Sequence, residues 1–366
     1  MTTDAVGGVF SYTTTLVRGL CAAGCSVTLV VQGPAANESK RAALRQIEGL
    51  AVIETDLDVE WRDPDGRDTA RAHRELLRIA DRVRPDVVHL NGYREALAGF
   101  ATPVMITAHS CVGTWWRACR GGHPDATWGC YTRDVQAGLN AADAWIAPSR
   151  TFCDAIEELY APRMRGHVVH NGIAPLVPGP SGQVVAFSVG RMWDEAKDLA
   201  TLVRAAEKVS CPVEIAGPLQ APGGGDRAES GAATCLGELP YPDVLRRMAD
   251  AAVFVSSAVY EPFGLSVLEA AASGCALVLA DIPSFRELWD GAALFFAPRD
   301  AADLARQIDR LVGDGRLRAD LRARSLDRAG RYDAARTIRG TRDIYEMVLN
   351  ARRTPVRAAE ATRLSA

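Results

Sequence analysis

Short apolar runs alternate with amphipathic stretches along most of the chain. Ser26 to Val31, Val87 to Leu90, Pro103 to Ala108, Ala144 to Ala147 and His167 to His170 read as strands in the first half. Val184 to Val189, Val213 to Ala216, Val253 to Val255, Cys275 to Ala280 and Ala293 to Phe296 do so in the second. Such near-continuous apolar runs suit parallel strands buried on both faces. Between them the apolar residues recur at helical spacing: Tyr12, Leu16, Val17 and Leu20 within Phe10 to Ala23, and Leu265, Leu268, Ala271 and Ala272 before a Ser273-Gly274 stop. Helices are also expected over 134–142, from a Ser149 cap to Tyr160, over 199–209 and 300–325, and from Tyr332 to Asn350. Strand–helix alternation of this kind defines a doubly wound α/β protein.

The pattern breaks in a few places, and those breaks mark the organisation. Residues 175–182 hold three prolines and two glycines without periodicity and read as a linker. The expected domains are 1–174 and 183–335, with 336–366 a terminal helix and a frayed tail. Residues 34–84 read as polar and helical, 221–232 as glycine-rich and mobile. Met1 to Asp4 reads as the end of a strand, so the first strand is expected to be truncated, either because the true start lies upstream or because this copy lacks it.

Composition narrows the function classes. Of 366 residues 48% are hydrophobic and 24% charged, with a net charge of −3, which gives no reason to expect a nucleic-acid partner. No run is long enough for a membrane span and no signal-peptide profile opens the chain. Nine cysteines scattered through apolar segments suit reduced thiols in a cytoplasmic protein. His109, Cys111, Cys119 and Cys130 match no common zinc spacing, so no metal is assigned.

Candidate chemistry sits where strands end. Glu261-Pro262-Phe263-Gly264-Leu265 is a proline turn followed by a glycine at which backbone can approach a ligand. Glu261 precedes the next helix and Glu269 lies within it; a diol carrying a phosphate would satisfy two carboxylates beside a helix N-terminus. Two exposed acids on an ordinary helix are the plainer alternative. Arg191 and Lys197 follow a strand and can converge on a diphosphate. A surface ion pair is the other reading. Gly7 and Gly8 form a turn into the first helix, suited to an anion or simply tight. His109 follows a strand, as does His89, and ligands of open α/β sheets bind at such ends. Trp115 and Trp116 beside Arg117 could stack on a sugar and pair with an acid, or pack a loop.

The stretch Glu261 to Glu269 resembles the Glu-x7-Glu signature of retaining, nucleotide-sugar-dependent glycosyltransferases, particularly family 4, and the resemblance extends over nearly the whole chain. It implies the GT-B fold: two facing Rossmann-like domains with parallel sheets, a cleft between them and a C-terminal helix crossing back to the first. Gly190-Arg191 with Glu195-x-Lys197 is similar to the family's phosphate-contacting pattern, with Asp198 where asparagine is commoner. His109 matches the histidine that contacts the donor sugar. Asn171-Gly172 matches the turn ending the first domain, although Ala174 stands where an aspartate often follows.

The resemblance further implies metal-independent sugar transfer, with retention, from a nucleotide diphosphate-sugar (UDP- or GDP-linked) to a glycan, lipid-linked or small-molecule acceptor. No cofactor is expected, and membrane contact is at most peripheral, at the inner face. Arg191, Lys197, His109 and Glu261 would be catalytic. Gly7, Gly8, Asn171, Gly237, Leu239, Phe263, Gly264, Leu265 and Glu269 would hold the donor, and Trp115, Trp116 and Arg117 the acceptor. A nucleotide-sugar epimerase or hydrolase, or an impaired copy that only binds, are the alternatives.

Overall fold

The computed structural model describes residues 1–5, 7–180, 183–221, 224 and 227–364, with side chains through residue 352. The chain forms two compact units: Met1–Arg117, Gly122–His170 and Ala334–Ala366 make the first, Ala118–Gly121 and Asn171–Asp333 the second.

In chain order the first unit runs β1 (Thr2–Asp4), α1 (Gly8–Ala22), β2 (Val27–Gln32), α2 (Glu38–Arg45), β3 (Leu50–Glu54), α3 (Thr69–Val83), β4 (Val88–Leu90), β5 (Val104–Thr107), α4 (Val112–Cys119), α5 (Gly129–Ala141), β6 (Ala144–Ala147), α6 (Arg150–Tyr160) and β7 (His167–Val168). All ladders are parallel, in orders β1-β2-β3 and β4-β5-β6-β7. Asn91 joins the two sheets: its N–H donates to Thr2 Oγ1 at 3.1 Å and its Nδ2 to the Thr2 carbonyl at 2.6 Å. The chain therefore winds outward in both directions from β1 and β4, which makes their carboxyl ends a topological switch point.

The second unit runs β8 (Gln183–Val189), α7 (Leu199–Ala206), β9 (Val213–Ala216), β10 (Thr234–Cys235), α8 (Tyr241–Asp250), β11 (Ala251–Ser256), α9 (Leu265–Ala272), β12 (Ala276–Ala280), α10 (Pro283–Trp289), β13 (Leu294–Phe296), α11 (Ala301–Gly313) and α12 (Gly315–Ala329). Its six parallel strands lie in order β10-β9-β8-β11-β12-β13, so the switch point falls between β8 and β11. Every residue of β12 is fully buried, as its unbroken apolar sequence requires. The last helix, α13 (Ala334–Leu364), belongs to the first unit, where the Thr337 hydroxyl donates to the His170 carbonyl at 2.8 Å and Ile338 fills the space over Gly19.

Several elements differ from the sequence reading. The polar, helical stretch 34–84 contains a strand, β3; at the sheet edge and half exposed, it has no apolar run to announce it. The sequence does not announce helix α8, because only Val244 and Met248 mark its buried side. The single helix expected over 300–325 is two, divided at Asp314, whose side chain caps α12. The tail expected to fray continues as helix to Leu364. In agreement with the sequence reading, the strand end at Met1 to Asp4 is present, as a ladder against Val30, Val31 and Gln32.

The division between units falls at His170/Asn171 rather than after Ala174, since the Ile173 N–H donates to the Tyr332 carbonyl and Ile173 bridges to Asp333. Of the 175–182 linker, Ser181 and Gly182 lie outside the described residues; its Gly179 is fastened to Ser273 by a 2.9 Å backbone bond. Pro222, Gly223, Gly225 and Asp226 of the segment expected to be mobile also lie outside them, as does Val6 beside the Gly7 turn.

Candidate active site

In the second unit the loops leaving β8 and β11 are bonded to each other. The Val259 N–H donates to the Ala196 carbonyl at 2.9 Å and the Ser257 hydroxyl to the Lys197 carbonyl at 2.8 Å. A third bond, from Ser284 Oγ to the Glu261 carbonyl at 2.6 Å, fixes the turn before α9. These ties bring together Lys197 and Glu261, residues far apart in sequence, whose Nζ and Oε2 lie 2.6 Å apart with both side chains mostly buried. An ammonium has three donors and this pair uses one, leaving capacity for a second anion. Arg191, in the same loop, bonds Asp194 at 2.9 Å, and its guanidinium lies 5.5 Å from the centre of the Trp193 ring. The two cations that were expected to meet at one anion are thus each held by a carboxylate. Asp198 has φ 45°, a left-handed conformation that asparagine adopts more readily than most residues, which accounts for the preference noted at this position.

Close backbone packing shapes the same edge. Gly217 follows β9 with φ 117°, and a Cβ there would lie 1.9 Å from the Gly190 carbonyl oxygen, so only glycine fits. Its N–H donates to the Gly237 carbonyl at 2.7 Å, which holds the turn to Leu239 against the sheet. Gly264, with φ 87°, is the N-cap of α9, and no side chain caps that helix. The N-terminus of α9 is therefore left to offer its dipole and amides to an anion.

Glu269 is 8% exposed, and the Tyr241 hydroxyl donates to its Oε1 at 3.0 Å. Burial pushes its carboxyl up to about 7, the Tyr241 bond acting in the opposite sense. Phe263 is buried, and its ring stands edge-on to Tyr332. Leu265 is half-buried at the start of α9. Asn171 is buried with Oδ1 unpartnered among the described residues.

The first unit builds a different arrangement at its switch point. His109 donates from Nε2 to Asn91 Oδ1 at 2.7 Å; the Asn91 amide can point only one way, because its Nδ2 donates to Thr2. That fixes the tautomer and leaves Nδ1 as an acceptor. The Tyr12 ring packs edge-on at 4.6 Å between centroids, and burial pushes the imidazole down to about 3, so His109 is neutral at physiological pH. Gly7, with φ 68°, is the N-cap of α1 before Gly8, and again no side chain caps the helix. His89 proves to be a core residue, held by Thr107 and Tyr345 at 2.6 Å each. Trp115 and Trp116 are half-buried and edge-on to each other on α4, and Arg117 pairs with Glu158 of α6. The sequence does not single out Asn91 or Tyr241 as site residues. A polar residue ending an apolar strand was a signal for the first; the second had none.

Two Rossmann-like units of parallel strands, each with a glycine-capped helix at its switch point, are the architecture of GT-B glycosyltransferases. The chain belongs to that family: residues 6–175 match the model of Glycosyltransferase Family 4 and residues 183–314 that of Glycosyl transferases group 1. It is 31% identical over 318 residues to the α-maltose-1-phosphate synthase of Mycolicibacterium smegmatis, covering 72% of this chain and 79% of that one. Among solved structures, sucrose-phosphate synthase from Thermosynechococcus elongatus superposes with TM-score 0.79 at 18% identity, covering 96% of both chains. Anabaena HepE in complex with UDP and glucose does so with TM-score 0.72 at 15% identity, covering 94% of this chain and 98% of that one. Among the described residues no helix is long and apolar enough to cross a membrane.

Proposed function

We propose that this glycosyltransferase moves a sugar from a nucleotide diphosphate-sugar to an acceptor hydroxyl, with retention of anomeric configuration and without a divalent metal. The observation that carries the reading is the Lys197–Glu261 pair at the carboxyl ends of β8 and β11, beside the uncapped N-terminus of α9. Departure of a diphosphate develops negative charge, and Lys197, Arg191 and the α9 dipole are the groups that would stabilise it. Glu261, released from part of its bond to Lys197, accepts from hydroxyls of the donor sugar, and Glu269 accepts from the ribose. Backbone at Gly237, Leu239, Phe263, Gly264 and Leu265 lines the nucleotide, and Asn171 offers its unpartnered carbonyl oxygen. In the first unit Gly7 and Gly8 serve the donor phosphate. Neutral His109 accepts from a hydroxyl of the transferred sugar through Nδ1, and Trp115, Trp116 and Arg117 serve the acceptor.

UDP or GDP is the favoured nucleotide; the presence of UDP and glucose in HepE supports the first. The acceptor is a glycan, a lipid-linked saccharide or a small molecule, and the place of action the cytoplasm or the inner face of a membrane.

Thermal shift of the purified chain against UDP-, GDP- and ADP-linked sugars, each with and without EDTA, tests the reading. Stabilisation by one nucleotide series, unchanged by chelator, is expected. No shift in a chain that melts cooperatively would overturn the donor site, and a shift lost on chelation would overturn metal independence.

A further inference from the structure

We propose that Tyr241 is a positioning residue for the nucleoside: its hydroxyl holds one oxygen of Glu269 so that the other meets the ribose diol, and its ring walls the nucleoside. This rests on the donor-site reading above and extends it to a residue outside the Glu-x7-Glu stretch.

The geometry is unusual for a side chain with only a structural task. Tyr241 is the first residue of α8, and its side chain reaches Glu269 on α9 with a 3.0 Å hydrogen bond. Yet the residue is 51% exposed, so a large aromatic surface remains in solvent directly beside a buried acid. A ring that merely completed the core would be covered. An exposed aromatic face next to a carboxylate is what a base and its ribose present themselves to, since stacking is tolerant of base identity and the diol needs an acceptor.

The bond also selects the state of Glu269. A tyrosine hydroxyl donating to Oε1 favours the ionised carboxylate against the burial that disfavours it. Oε1 is thereby occupied, and Oε2 is the oxygen left to take two ribose hydroxyls. Helix α9 also packs against α12, but the Arg322 guanidinium of α12 lies at Gly274, beyond the far end of α9, and bonds the Gly179 carbonyl. Tyr241 is thus the group placed to tune this acid.

The test is calorimetric titration of the full chain with UDP, GDP and ADP between about pH 5.5 and 9, comparing wild type, Tyr241→Phe, Tyr241→Ala and Glu269→Gln. For the nucleotide that wild type binds, Tyr241→Phe should weaken affinity roughly ten- to a hundredfold at neutral pH, the effect of one hydrogen bond to a charged group. It should also move the acidic loss of binding to higher pH, because the carboxylate has lost the donor that favoured it. A purely structural tyrosine would not shift that midpoint. Tyr241→Ala should weaken binding further than Tyr241→Phe. An unshifted midpoint in Tyr241→Phe would overturn the positioning role, and equal losses in Phe and Ala variants would overturn the wall. Failure of the underlying reading looks different: wild type would bind none of the three nucleotides, or Glu269→Gln would bind as wild type does.

Discussion

The two units solve the same topological problem with different chemistry. In each, parallel strands wind outward from a central pair, and the crevice at their carboxyl ends is flanked by a helix with a glycine N-cap of positive φ, Gly7 on α1 and Gly264 on α9. At the second switch point stand charges: Lys197 with Glu261, Arg191 with Asp194 and the buried Glu269. At the first a neutral network of Asn91, His109, Thr2 and Tyr12 stands beside the buried side chains of Glu60 and Glu95, which pack at Gly92. Topology provides the place, and side chains decide what is done there. A charged site suits a leaving group that gains charge; a neutral, hydrogen-bonding one suits a sugar that has none.

Removing the central cation should produce the largest difference between the two sites. Lys197→Ala is expected to lower turnover by about 10²- to 10³-fold, the magnitude associated with loss of a group that stabilises developing charge. Steady-state kinetics with the matching donor checks this, and a loss under tenfold would assign the leaving group to other residues.

Next in size is a backbone test of the second unit. Gly217→Ala forces a Cβ into the Gly190 carbonyl at a positive φ and should destabilise by roughly 3 kcal/mol, seen as a lower urea midpoint. An unchanged midpoint would mean that the β8 and β9 ends part without penalty.

The charged site should also leave a signature in stability. Glu269 has a carboxyl raised to about 7 from 4.5, so the folded state holds its proton more firmly than the unfolded one. Its contribution is therefore most favourable at low pH and is lost as pH rises through that window. Glu269→Gln escapes the loss, and should be more stable than wild type at pH 8 by on the order of 1–3 kcal/mol, with the gap closing near pH 4.5. Chemical denaturation at the two values decides it; a gap independent of pH would exclude ionisation of a buried carboxyl as its origin.

The neutral site should respond least. Asn91→Leu frees the His109 tautomer and should lower turnover about tenfold, as expected for a residue acting through another. The Asn91→Leu, His109→Ala double variant should be no worse than His109→Ala alone. Additive losses would show that Asn91 contributes independently of the histidine.

Glu261 and Glu269 were legible because their spacing is local and the apolar pattern around them places one just before a helix and the other within it. The Ser149 cap was equally plain: its hydroxyl accepts from the Phe152 N–H, an interaction within four residues. The fold was legible for a related reason, since runs such as Leu277 to Ala280 admit few alternatives to a buried strand. Edge strand β3 escaped, because a strand with one exposed face need not be apolar throughout.

What the sequence determined by itself, then, was periodicity, caps and the linear spacing of the motif, all set by interactions over a few residues. Pairings between distant residues were decided by tertiary structure alone. Nothing linear announces that Lys197 meets Glu261, that Tyr241 reaches Glu269 or that Asn91 fixes His109. Each pairing exists because separate strands and helices bring loop ends within hydrogen-bond distance, and burial there sets the protonation of Glu269 and His109. Local sequence can encode which groups are present; the desolvation and partners that give them their chemistry come from the packing of the whole unit.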